Sequence, residues 1–138
     1  MSWKQKVYSA LRTEKMFEDY GHSTRFAELL DCFGDYPFFT KGLCKCVYLS
    51  AWDEEHFCVM LETLTDLSLG KETTTSEMRA KGDSLVEEQV DAQYYVYLLS
   101  NAFLDDKPFE LSPDASLPDD FRYIIDRALK AAEIIDAL

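Results

Sequence analysis

Residues 44–59 read CKCVYLSAWDEEHFCV and hold three of the four cysteines and one of the two histidines in a 138-residue chain. Two secondary structures compete for the first half of this stretch. Cys46, Val47 and Tyr48 are tolerated in a strand spanning 43–49. No second segment offers that strand a partner, however. From Phe38 to Trp52 the chain is apolar almost all round, with Lys41 and Lys45 its only charges. The stretch is therefore expected to be a helix buried on most sides. Asp53 then starts a second helix. Its carboxylate can cap the first turn, Glu54 and Glu55 suit the positive helix end, and Trp52 and Phe57 have the spacing of a hydrophobic staple. Met60, Leu61, Leu64 and Leu67 continue the apolar stripe until Gly70 ends it.

Helical geometry decides what the thiols and imidazole can do. Residues two apart on a helix point roughly 160–200° away from each other. Cys44 and Cys46 therefore diverge, and so do His56 and Cys58. Cys32 and His22 complete no zinc spacing with them. Asp53 and His56 have the offset of one half of a di-iron motif, but His22 has no acid at the matching offset. The cysteines read as small apolar core residues, no metal ligand is assigned and no cofactor is expected.

Working outward, Ser2 is positioned to cap a helix whose inner face is Trp3, Val7, Ala10 and Leu11. That helix ends near Thr13 or runs to Tyr20, where Gly21 would stop it. Ser23 is the next cap, followed by Phe26, Leu29, Leu30 and Phe33, with Gly34 as a terminating glycine. Asp35-Tyr36-Pro37 is a turn that places Pro37 in the first turn of the buried helix. Downstream, 71–75 is a polar loop and Ser76 a cap. A long helix follows to Leu104, ordered from about Asp83. Its second half, Tyr94–Leu99, is apolar on every side and is expected at the centre of a bundle. Residues 105–118 form a proline-rich loop pinned by Phe109 and Leu111. The last helix, 119–138, aligns Phe121, Ile124, Ile125, Ala128, Ala132 and Ile135 on one face. Altogether the pattern predicts a single all-α domain, 1–138, of five to six helices with a long central helix near 83–104.

Charge restricts function. The net charge is −12, and it is unevenly spread. Residues 1–52 carry six acids and seven bases, whereas 53–138 carry twenty acids and seven bases. Such a body repels nucleic acid and anionic membranes, so neither is expected as a direct partner, and a basic protein is. There is no signal-like apolar leader and no apolar window of membrane-spanning length, and the thiols fit a reducing cytoplasm. Phosphate loops, GxSxG and HExxH are missing from the sequence.

Asp83, Glu87 and Asp91, four apart with Glu88 beside them, would line one helix face at about 5–6 Å intervals. That is close to the phosphate spacing of a nucleic-acid strand. Tyr36 and Phe38, at a turn, offer an aromatic contact surface. The reading that follows is a non-enzymatic acidic interaction protein that binds, and inhibits, a basic nucleic-acid-binding protein by mimicking DNA. In composition it is similar to small acidic helical inhibitors of phages and mobile elements. Two other readings compete: a helical metal- or thiol-dependent enzyme using His56 with Cys58, Cys46 or Cys32, and an oligomerisation module that self-associates.

Overall fold

The computed structural model describes residues 2–70, 91–109 and 117–138, with only the backbone of 91–94. All regular structure among these residues is α-helical. None of the described helices is long and apolar enough to cross a membrane. The first helix, α1 (Trp3–Thr13), has a reciprocal cap, in which Ser2 Oγ accepts from Gln5 N and Gln5 Oε1 accepts from Ser2 N. It ends at Thr13 and does not run to Tyr20. Lys15 takes a left-handed conformation (φ 57°), so that Lys15 N–H returns to Arg12 O and Met16 N–H to Leu11 O. This is a Schellman closure built without glycine. It turns Met16 into the core, where it is buried.

Gly21 therefore stops nothing. It lies in the first turn of α2 (Tyr20–Phe33), which is capped not by Ser23 but by Asp19, whose Oδ1 accepts from His22 N at 2.7 Å. An aspartate three residues before a backbone N–H satisfies one of the orphan donors of the helix start, which frees Ser23. The Ser23 hydroxyl bonds to Tyr8 OH at 2.9 Å, joining α2 to α1. Gly34 caps α2 in a right-handed conformation (φ −63°) rather than a left-handed one. What it supplies is space: a Cβ there would collide with the backbone oxygen of Leu30 and crowd the Lys4 side chain.

The stretch that opens with Cys44 is helical. The helix α3 (Lys41–Ser50) is capped by Thr40, so Pro37 belongs to the connection before it and not to its first turn. Every residue from Leu43 to Ser50 is buried, as a helix without a polar face requires. Around it stand α4 (Glu54–Ser68), α5 (Asp91–Leu104), α6 (Asp119–Asp136) and α2, all of which pack against it. The helix α3 therefore lies at the centre of the described helices, and the long helix expected near 83–104 is described only from Asp91, from where it packs on α3 as α5. Of α5, Val96, Leu99 and Phe103 are buried on one face, while Tyr95, Tyr97 and Leu98 are half-buried. The start of that helix upstream of Asp91, like the Ser76 cap and Leu111, lies outside the described residues.

Asp53 caps α4 by accepting from Glu55 N at 2.8 Å and His56 N at 3.2 Å. The buried stripe of α4 is Met60, Thr63, Leu64 and Leu67; Leu61 is 40% exposed, on the outer side. Gly70 (φ +74°) closes this helix in the left-handed region. On α6, Ile124, Ile125, Ala128, Ala132 and Ile135 are buried as a stripe, with Ala131 added and Phe121 half-buried. Full burial of each Leu or Ile contributes about 1.5–3 kcal/mol, and such residues on α2, α4, α5 and α6 pack on α3, while α1 packs on α2 and α6.

Candidate functional site

The four thiols separate into two kinds. Cys44 is 0% exposed, and burial pushes its thiol up to about 12, so no thiolate forms near neutrality. Cys46 is also buried and donates its S–H to Ser100 O on α5 at 3.4 Å. Cys32 and Cys58 lie exposed on α2 and α4. Among the described residues, no group of three or more His, Cys, Asp or Glu side chains comes together at metal-binding range.

The two histidines have structural partners. His22 is buried against Phe17 and Tyr48, its ring T-shaped to the first at 5.4 Å. Nδ1 accepts from Glu18 N at 3.1 Å, which leaves Nε2–H to donate to Tyr48 O at 3.0 Å. Both ring nitrogens are thus used in the neutral form. Burial holds the His22 pKa below its ordinary 6.5, partly opposed by the bond to Tyr48. His56 stacks on Trp52 at 5.5 Å, and its Nδ1 lies 3.1 Å from Asp53 Oδ1. Trp52 also meets Phe121 of α6 edge-on at 5.4 Å, so the residue proposed as a staple for α4 also bridges to α6. For Asp53, partial burial raises the carboxyl pKa. The bonds from the His56 ring and backbone outweigh it and leave the group below its usual range.

The aromatic corner forms as a unit. Tyr36 and Phe38 stack with centroids 5.0 Å apart and planes 22° apart, and Phe33 lies 6.3 Å from Tyr36. Tyr36 is 42% exposed, while Phe39 turns inward and is buried. A salt bridge at 2.9 Å between Lys4 and Asp35 ties α1 to this corner. Of the acid row, Asp83, Glu87 and Glu88 lie outside the described residues, and so does the side chain of Asp91.

What the sequence alone did not reveal is how unequally the two signs of charge are used. Every described acidic residue is exposed except Asp53 and Asp66, which are half-buried, and Glu18, whose side chain is 23% exposed beside Arg127. The described cations are divided: Lys6, Arg12, Lys15, Lys41, Lys107 and Lys130 are exposed, Lys4, Arg25, Arg122 and Arg127 are half-buried, and Lys45 is buried. The Lys45 ammonium lies 2.7 Å from Asp136 Oδ1. Arg25 Nε donates to Ala51 O at 2.6 Å, and Arg127 pairs with Glu18 at 3.3 Å while donating to Lys15 O. Lys41 donates to Asp136 O and Leu138 O at the end of α6. The available signal for Lys45 was a lysine in the middle of an apolar run, which in a buried helix needs an anionic partner. No protein-family model matches this chain, and comparison with curated proteins and with solved structures finds no match.

Proposed function

We propose that this chain is a non-catalytic acidic interaction protein that engages the basic surface of a nucleic-acid-binding protein and competes there with nucleic acid. The observation that carries the reading is the unequal use of charge: carboxylates cover the outside, while five cations, Lys4, Arg25, Lys41, Lys45 and Arg127, are committed to partners within the fold. The outward field of a chain with net charge −12 is strongly negative. Such a field accelerates encounter with a basic groove and repels nucleic acid and other acidic surfaces. The stacked Tyr36–Phe38 corner adds the apolar contact that a charged surface lacks, since aromatic residues anchor interfaces.

The test is a competition. Proteins of the source cell captured on the immobilised chain at about 50 mM salt are identified by mass, and each basic one is assayed for displacement of a labelled duplex. The chain is expected to displace the duplex, with an affinity that falls at least tenfold between about 50 and about 500 mM salt as the Debye length shrinks from about 14 to about 4 Å. Salt-independent binding, or simultaneous binding of duplex and chain, overturns the reading.

A further inference from the structure

A pocket of about 350 Å³ lies between the C-terminal ends of α5 and α6. Its charged lining comes from several elements. Asp106 follows α5, Glu133 and Asp136 lie in the last turn of α6, Lys45 reaches it from α3, and Lys107 stands beside Asp106. Phe103, Phe109 and Leu129 form an apolar wall.

Two helix ends meet here, each with a partial charge of about −0.5 from its terminal carbonyls. Neither α5 nor α6 has a basic residue in its last turn. Compensation comes from α3. The Lys41 ammonium lies 2.9 Å from Leu138 O and 3.3 Å from Asp136 O, and Lys45 lies 2.7 Å from Asp136 Oδ1 and 5.9 Å from the centre of the Phe103 ring. This end of the bundle therefore already holds two ammonium groups, one on backbone carbonyls and one between a carboxylate and an aromatic face. With Lys45 cancelling Asp136, Lys41 compensating the end of α6, and Lys107 offsetting one of Asp106 and Glu133, a net charge of about one carboxylate remains, reinforced by the end of α5. Charge complementarity selects a cation. The apolar wall selects one on a hydrocarbon stem, and the aromatic rings favour a planar guanidinium over an ammonium.

We propose that this pocket receives an arginine side chain of the basic partner, its stem along Phe109 and Leu129 and its guanidinium between Asp106 and Glu133. The inference rests on the chain being a ligand of a basic protein, and it says where that protein's charge is received. Amide shifts of the labelled chain are followed while acetyl-Gly-Arg-Gly-amide is added, with the citrulline peptide as the neutral isostere. A ten-residue arginine peptide is titrated in parallel at low and high salt.

The expected result is saturable shifts concentrated in residues 102–109 and 129–136 with the arginine peptide and none with citrulline. Glu133→Gln and Asp106→Asn should each weaken binding by about two- to fivefold, and Lys107→Ala should tighten it by about twofold, as for partly solvated charges. Asparagine tolerates the left-handed backbone of position 106 (φ 53°), so D106N is expected to stay folded, as circular dichroism would verify. Shifts scattered over the acidic surface, equal response to citrulline, or charge effects of opposite sign overturn the pocket. If the ten-arginine peptide still binds in a salt-dependent way, only the pocket falls. If that peptide does not bind either, the reading of the chain as a basic protein's partner falls with it.

Discussion

The buried imidazole of His22 makes the stability of the bundle depend on pH in a way that one substitution can isolate. In the fold, Nδ1 accepts from Glu18 N and Nε2–H donates to Tyr48 O, so a proton added at Nδ1 would face the Glu18 N–H. The charged groups around it are divided. Asp19 favours the imidazolium and Arg25 and Arg127 oppose it, while burial is the largest effect and lowers the pKa. A lowered folded pKa means that the unfolded chain takes up the proton first. The stability contributed by neutral His22 is therefore fully present above about 6.5 and is lost as pH falls from 6.5 toward the lower folded value. The slope can reach about 1.4 kcal/mol per pH unit.

His22→Leu removes the titration but leaves the Glu18 N–H and one lone pair of Tyr48 O without their partner. Each such loss costs about 1–3 kcal/mol when buried, and Glu18 is near enough to solvent to fall at the low end, so about 2–4 kcal/mol is expected above pH 7. Urea unfolding of both proteins, followed by tryptophan fluorescence at pH 7.5, 6.5, 5.5 and 5.0, gives the difference free of the carboxylates common to both. The gap between them should narrow steadily as pH falls below about 6.5. Parallel curves with a constant gap would refute the assignment of His22 as a neutral, doubly bonded core residue.

Other consequences can be checked in single measurements. Gly42→Ala puts a Cβ 2.5 Å from Phe103 O, where α3 passes the end of α5, and should cost about 1–3 kcal/mol by thermal melting. An aromatic disulfide reagent should modify Cys32 and Cys58 promptly in the native protein and Cys44 and Cys46 only on unfolding, with peptide mapping to assign each thiol. Asp53→Ala removes the cap that serves Glu55 N and His56 N, and should cost about 1 kcal/mol in chemical unfolding. Leu64→Ala, at a fully buried position of α4, should cost about 2–5 kcal/mol by the same assay.

Much of the bundle was legible before any coordinates. A fifteen-residue run whose only charges are Lys41 and Lys45 can hardly be anything but an enclosed helix, and the Asp53 cap and the stripe of α6 follow the helical period directly. The misreadings have identifiable causes. The stop at Thr13 depends on Lys15 accepting a left-handed backbone, a choice made by tertiary packing of Met16 and invisible in a lysine. Without that stop, Gly21 looks like a terminator and Asp19 like a helix interior. The apolar 94–99 segment points to the centre of the bundle, and of its described side chains Val96 and Leu99 are buried while Tyr95, Tyr97 and Leu98 are half-buried; composition does not reveal which neighbours an element will find. The candidate surface was legible as acidity and as an aromatic turn. The commitment of cations to partners within the fold was not, because Arg25 with Ala51 and Lys45 with Asp136 join positions distant in sequence.

The hub of this bundle is also the shortest of the described helices. Ten residues are too few to hold a helix in water, and α3 has four glycines-or-cysteines-or-β-branched positions, Gly42, Cys44, Cys46 and Val47, that make it weaker still on its own. Its shape is thus held by the surrounding helices, and they in turn have little to close upon until it has formed. Such mutual dependence leaves no autonomous fragment to peel away. The amide protons of 44–50 should exchange only through complete unfolding, and any truncation that strips one wall from α3 should dissolve the whole rather than shorten it.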